Sequence, residues 1–167
     1  TKYYGEDLVV RSPASIVKGN TGIIAATMAT LAEFPDRQLF GEDVIWTGSD
    51  DGFLSSHRLI CTATHTAPGV YGPATGRNVS YRIIADCYCS DNAVQDEWLV
   101  RDQSAIVSQL GYDVENWTRE LIEKEGGPEL CVKPFKPEND LTGPYCGQGN
   151  DNHWGRQLAD LLTRMMN

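Results

Sequence analysis

Two adjacent segments near the middle of the chain read Asn78-Val-Ser-Tyr-Arg-Ile-Ile-Ala-Asp-Cys-Tyr-Cys-Ser90 and Ala93-Val-Gln-Asp-Glu-Trp-Leu-Val-Arg-Asp102. In the first segment apolar residues alternate with polar ones, which is typical of a strand, and the Ser-Asp-Asn that joins the segments is typical of a turn. Successive side chains of a strand point to opposite faces of its sheet. The two segments are therefore predicted to be neighbouring strands, followed by a helix that ends at Gly111.

The rest of the chain continues this mixture of strands and helices. Strands are predicted at 7–13, 38–47 and 53–65, and helices at 20–34, 114–125 and 154–166. A segment rich in Pro and Gly, 126–149, is predicted to be a long loop. A helix followed by long strands that are mostly joined by hairpins indicates an α+β fold, in which helices cover a curved antiparallel sheet.

Size and charge limit the classes of function. A chain of 167 residues fits one domain with an appendage, which we place at 1–113 and 114–167. The net charge of −9 argues against binding to nucleic acid or to an anionic membrane surface, because both require basic patches. No apolar run reaches the roughly 18 residues of a membrane-spanning helix.

The cysteines do not form a recognisable framework. There are five, at positions 61, 87, 89, 131 and 146. An odd number with irregular spacing does not suggest a set of disulfides, and Cys87 and Cys89 have no second close pair with which to hold a metal. We predict reduced thiols, a cytoplasmic protein, and no metal site. Cys87 and Cys89 are interpreted as small buried residues.

Three groups of segments, in this order, resemble a known family. They are Glu33-Phe-Pro-Asp36 after a helix, Thr62-Ala-Thr-His65 followed by Gly72-Pro-Ala-Thr-Gly-Arg77, and Glu97-Trp-Leu-Val-Arg-Asp102 followed by Gln109-Leu-Gly111. Together they resemble the SnoaL-like polyketide cyclases of the nuclear-transport-factor-2-like superfamily over roughly residues 3–113.

The resemblance implies a cone-shaped fold, in which a curved antiparallel sheet wraps around helices and encloses a pocket. It also implies ring closure by intramolecular aldol condensation, without a cofactor and with an Asp as acid and base. The superfamily includes epoxide hydrolases, ketosteroid isomerases, dehydratases and non-catalytic scaffolds, so the fold does not fix the reaction. The chain departs from the family pattern at both ends, since the family's first helix is missing before Tyr3 and a long extension follows Gly111.

Asp102 is the first catalytic candidate. It matches the Asp of the family's Trp-x-x-x-Asp motif, and in a strand it would share a face with Trp98. A carboxylate in an apolar pocket can remove a proton next to a carbonyl and return it to the new alkoxide. The alternative is that Asp102 caps the helix that begins at Gln103.

Asp86 and Arg82 share a face of the preceding strand. They are predicted to be a pocket ion pair that orients the substrate, with Asp86 as the second catalytic candidate. The alternative is a purely structural pair. The epoxide-hydrolase relatives have Arg-x-Asp, whereas the spacing here is Arg82-x-x-x-Asp86.

The remaining candidates would bind substrate. His57 and His65 lie on one strand face, too far apart for a common metal, and the resemblance puts His65 at the rim of the pocket. Trp46 and Trp98, with Tyr81 or Tyr88, are candidates for an aromatic pocket wall. For each of these residues the alternative is ordinary packing or exposure.

From these patterns we expect an enzyme that acts on a small apolar carbonyl compound, without a cofactor, as a homodimer. The alternatives are a non-catalytic ligand-binding or scaffold domain of the same fold, and a relative of the epoxide hydrolases or isomerases. The helix at 154–166 carries an apolar stripe. We expect this stripe to pack on a cone, either that of its own chain or that of another.

Overall fold

The computed structural model describes residues 2–131 and 153–166. The elements in chain order are β1 (Tyr4–Ser12), β2 (Ser15–Lys18), α1 (Asn20–Glu33), β3 (Gln38–Ser49), β4 (Gly52–Thr64), β5 (Asn78–Ser90), β6 (Ala93–Arg101), α2 (Gln103–Gln109), α3 (Val114–Lys124) and α4 (His153–Met166). Most of the predicted loop, from 132 onward, lies outside the described residues. The predicted helices and long strands are present, with shifts of a few residues at their ends.

The strands form one six-stranded sheet in the order β2-β1-β6-β5-β4-β3. The four strands β3 to β6 are joined in sequence and pair antiparallel. β1, in contrast, pairs parallel to β6, so the sheet is mixed rather than wholly antiparallel. The sequence analysis also missed β2, which has four residues and is too short to show an alternating pattern. With these corrections the predicted α+β fold with a curved sheet is confirmed.

The two faces of the sheet differ in burial. On β5 the buried face, called concave below, carries Val79, Tyr81, Ile83, Ala85 and Cys87. One end of this face packs against α2 through Ile106, Val107 and Leu110. The opposite, convex face of β5 is mostly exposed, so the alternation read from the sequence identifies the core side of this strand.

Two helices expose apolar side chains. α1 has no charged residue before Glu33, and Met28 on its outer side is 60 % exposed. The apolar stripe of α4 is exposed at Trp154, Leu158, Leu161, Leu162 and Met165. Within the described residues α4 packs on no other element, so its docking stays a prediction. None of the described helices combines the length and the apolar character needed to cross a membrane.

Candidate active site

A cavity of about 510 Å³ lies between the concave face of the sheet, α1 and β2. Most of its wall is apolar, formed by Val10, Val17, Ile23, Leu39, Leu59, Ile83, Ala85, Val94 and Leu99. Its ionisable and amide side chains are Tyr4, Arg37, His57, Cys87, Glu97, Arg101 and Gln103. A volume of this size and a mainly apolar lining with a few polar groups are typical of small-molecule sites.

Glu97 is the acidic side chain in this cavity. It lies on β6 directly opposite Cys87 of β5, in the row of concave-face residues that also includes Ser55 of β4 and Val10 of β1. The residue is only 6 % exposed. Burial raises the pKa of Glu97, while the positive charge of Arg101 and a hydrogen bond from Tyr4 act in the opposite direction. Glu97 is therefore a carboxyl group with increased basicity, in contact with a cavity.

Two neutral groups surround Glu97. Burial, and then the charge of Glu97, raise the pKa of Tyr4 to about 12, so its hydroxyl remains a hydrogen-bond donor at neutral pH. Burial, and then Glu97, also raise the pKa of Cys87 to about 12. Because a thiolate rather than a thiol is the nucleophile, Cys87 is not activated here. This agrees with its interpretation as a small buried residue.

The described residues include three free thiols and no cluster of metal ligands. Cys61, Cys87 and Cys89 are free thiols, whereas Cys146 lies outside the described residues. Among residues 2–131 and 153–166, no three His, Cys, Asp or Glu side chains are grouped closely enough to hold a metal ion. The expectation that the protein needs no cofactor stays a prediction.

Of the two histidines predicted to bind substrate, only His57 lines the cavity. Its Nε2 lies 2.6 Å from the Oγ of Ser55, which is two residues earlier on the same face. The other histidine, His65, is 0 % exposed and belongs to the core. Its Nε2 pairs with Glu33 at 3.1 Å and its Nδ1 lies 3.1 Å from Thr75 Oγ1. The expectation that His65 sits at the pocket rim is therefore wrong, because these contacts use both ring nitrogens.

Asp102 caps α2. Its Oδ1 accepts a hydrogen bond of 2.9 Å from the backbone N–H of Ala105, as the capping interpretation predicted. From β6 the cavity wall includes Val94, Glu97, Leu99 and Arg101, and it includes neither Trp98 nor Asp102. The expectation that the Trp98 side of β6 faces the pocket is thus wrong. A catalytic role of Asp102 is not tested by this geometry and stays a prediction.

The predicted ion pair between Asp86 and Arg82 is also wrong. Arg82 Nε and Nη2 donate to the carboxylate oxygens of Glu42 at 2.8 and 3.0 Å, rather than pairing with Asp86. Both Arg82 and Asp86 lie on the convex face of β5, away from the cavity. Arg82 and Asp86 are four residues apart on one strand, which separates their Cα atoms by about 13 Å. Glu42 lies in a bulge of β3 near Phe40, which is in the same cross-strand row as Arg82.

The predicted aromatic wall is not formed. Trp98 lies on the convex side, where the guanidinium of Arg11 is 5.3 Å from its ring centre. Tyr88 is on the same side, opposite Leu54 of β4. Trp46 lies on the concave side opposite Ser55, but it is 68 % exposed and packs edge-on against Phe53 outside the cavity wall. Tyr81 is part of the core.

Four of the six ionisable residues of the cavity had not been candidates in the sequence analysis. They are Tyr4, Arg37, Glu97 and Arg101. The face of β6 was misassigned because the strand has a bulge after the β5–β6 turn. Cys89 pairs with Val94, whereas Tyr88 pairs with Asp96, so Gln95 is an extra residue in β6. One extra residue exchanges the two faces of the strand from that point onward. Glu97 therefore points inward, and Trp98 points outward.

Several solved structures have a fold similar to that of this chain. No family model and no curated protein matches the sequence. The chain is similar to AclR from Streptomyces galilaeus, named as a candidate hydroxylase, with a TM-score of 0.57 and 24 % identity over 66 % of this chain and 79 % of that one. It is also similar to IdmH from Streptomyces antibioticus, named as a candidate polyketide cyclase, with a TM-score of 0.57 and 21 % identity over 65 % and 82 %.

A third solved structure carries the family name predicted from the motifs. It is a candidate SnoaL-like polyketide cyclase from Jannaschia sp. CCS1, with a TM-score of 0.55 and 19 % identity over 66 % of this chain and 75 % of that one. At these identities the likeness establishes a shared fold rather than a shared reaction. The protein has the fold of the SnoaL-like polyketide cyclases.

Proposed function

We propose that this protein is an acid/base enzyme that acts on a small, mostly apolar carbonyl compound, with Glu97 as the group that transfers the proton. The observation that carries the proposal is a buried carboxyl group with a raised pKa on the wall of an otherwise apolar cavity. Titratable groups perturbed in this way within a cavity are concentrated at functional sites. The named relatives of the same fold support a polyketide-like carbonyl substrate.

The reaction proposed is an intramolecular aldol ring closure. The Glu97 carboxylate removes a proton from the carbon next to one carbonyl, and the electron pair of that C–H bond forms an enolate. The enolate carbon forms a bond to the carbon of a second carbonyl, whose oxygen becomes an alkoxide. The proton held by Glu97 then passes to this alkoxide, so the carboxylate is regenerated and no electron leaves the substrate.

Two features of the cavity support this chemistry. Desolvation strengthens the ionised Glu97 as a base, which favours proton removal from a weakly acidic carbon. The Tyr4 hydroxyl, protonated because its pKa is about 12, is a donor next to Glu97. In the proposed mechanism Tyr4 orients the carboxylate.

The test compares two isosteric substitutions, Glu97→Gln and Asp102→Asn. The substrate probe is an aryl diketone such as ortho-acetylphenylacetone, and NMR in D₂O follows both deuterium exchange next to the carbonyls and ring closure. We expect Glu97→Gln to lower both rates by about 10²-fold or more, the usual contribution of a general base. Asp102→Asn should stay within about twofold of the wild type, because Asn caps helices nearly as well as Asp.

The reverse pattern would assign the base to Asp102 instead, as the family motif predicts. Unchanged rates in both variants would contradict the proposal for either carboxylate. A non-catalytic binding domain is the second candidate, because the Asp that matches the family motif caps a helix here. Saturable binding of the diketone to the wild type without exchange or ring closure would favour that candidate.

A further inference from the structure

Two arginines line the same cavity as Glu97. Arg101 is on the concave face of β6, opposite Ile83, and Arg37 comes just before β3. Both charges act on the same buried hydroxyl. Burial raises the pKa of Tyr81, while the guanidinium groups of Arg101 and Arg37 lower it. The two cations therefore line one cavity, and both lie within electrostatic range of Tyr81.

Among the described residues, neither cation has a carboxylate partner at contact distance. None of the ion pairs within 4.0 Å in the described part of the chain includes Arg37 or Arg101. The Nε of Arg101 is also buried without a hydrogen-bond acceptor among those residues. Buried donors in folded proteins nearly always have an acceptor, because an unsatisfied one is costly. Arg101 therefore lines the cavity without a hydrogen-bond acceptor for its guanidinium group among the described residues.

The position of Glu97 does not remove this requirement. Glu97 and Arg101 are four residues apart on one strand, so their Cα atoms are about 13 Å apart. The charge of Arg101 lowers the pKa of Glu97, but the effect is smaller than that of burial, which raises it. Along β6 the acid/base group and the cation are therefore separated by one aliphatic residue of the cavity wall, Leu99.

We propose that Arg101, together with Arg37, binds a carboxylate on the substrate, which makes the ligand an apolar carboxylic acid. A guanidinium group matches a carboxylate in geometry and can donate two parallel hydrogen bonds to it. The apolar walls accept the body of the molecule. This inference rests on the proposed function only in taking the cavity as the substrate site, since it concerns binding and not the proton transfer.

The test measures binding of two probes of nearly equal shape, naphthoate and naphthamide, by isothermal titration calorimetry at neutral pH. The wild type should bind the acid roughly tenfold more tightly than the amide, the scale expected for charge-assisted hydrogen bonds. Arg101→Gln should bring the two affinities to within about twofold by weakening only the acid, because the amide gains little from a cation. Arg101→Lys should retain part of the preference as a point charge.

The matched control is Arg58→Gln, which makes the same change at an exposed arginine on the convex face of β4. It should leave the preference for the acid unchanged. Any of three results would overturn the inference. The wild type could bind the two probes with equal affinity, the acid could show no saturable binding, or Arg101→Gln could keep the preference for the acid. If Arg101→Gln does not fold, Arg37→Gln and the wild-type comparison still decide. Glu97→Gln separates the two proposals, since it should lower turnover of the diketone by about 10²-fold or more yet keep the preference for the acid.

Discussion

Replacing Glu33 with Ala is expected to destabilise the whole domain, although Glu33 does not line the cavity of the proposed active site. Glu33 ends α1 and is 4 % exposed. Its carboxylate pairs with His65 Nε2 at 3.1 Å and accepts the backbone N–H groups of Val70 at 3.1 Å and Tyr71 at 3.0 Å. One buried side chain thereby joins the helix, the end of β4 and the loop that follows it.

The magnitude follows from the number of buried donors that lose their acceptor. A hydrogen bond to a charged group contributes about 1.5–3 kcal/mol, and a donor left buried costs about 1–3 kcal/mol. Summed over three donors, these values give an upper limit, because the loop can relax in the variant. We therefore expect the free energy of unfolding to fall by about 3–5 kcal/mol, as for other broken buried pairs. That is a large part of the roughly 5–15 kcal/mol by which domains are stable. The melting temperature should fall by roughly 10 °C or more.

The assay is urea unfolding followed by tryptophan fluorescence, together with hydrogen exchange of the Val70 and Tyr71 amides. Both amides should lose protection in Glu33→Ala. The control is Glu42→Ala, which removes a carboxylate that binds Arg82 at the surface. This variant should unfold close to the wild-type midpoint, because exposed ion pairs contribute little. A Glu33→Ala protein with the wild-type midpoint and protected amides would refute the reasoning.

Two further predictions concern Glu97 and α4. Because burial raises the folded-state pKa of Glu97 above its ordinary value of 4.5, the free energy of unfolding of the wild type should fall as pH rises from that value through the raised pKa. Glu97→Gln should therefore become more stable relative to the wild type across this window, and thermal melts that differ by a constant amount at every pH would contradict it. Light scattering is expected to show that the chain of 167 residues is a homodimer. Deletion of 149–167 should lower its solubility or change its oligomeric mass, because burying each leucine of the α4 stripe contributes on the order of 2 kcal/mol. A truncated protein with unchanged solubility, stability and mass would rule out a structural role for α4.

The sequence by itself determined the fold class and the core side of β5. The alternation of Val79, Tyr81, Ile83, Ala85 and Cys87 is a local property, and the buried positions of the folded strand follow it. The turn at Asp91–Asn92 is also encoded locally, since both residues adopt the positive φ angles that Asn and Asp tolerate. The resemblance to the family added the expectation of a pocket inside the curved sheet, and a cavity lies against the concave face.

The tertiary structure alone decided which carboxylate faces the cavity. In a regular hairpin, Ser90 opposite Ala93 would place Asp96 and Trp98 on the concave face. The extra residue at Gln95 shifts the register by one and turns Glu97 inward. In β6 the residues Asp96 to Asp102 do not alternate cleanly between apolar and polar, so neither face is marked by composition. The register is set instead by pairing with β5 and β1, which buries Arg11 beside Asp96 on the other side of the strand. Such a choice depends on contacts between residues far apart in the chain, and so it is absent from any local pattern.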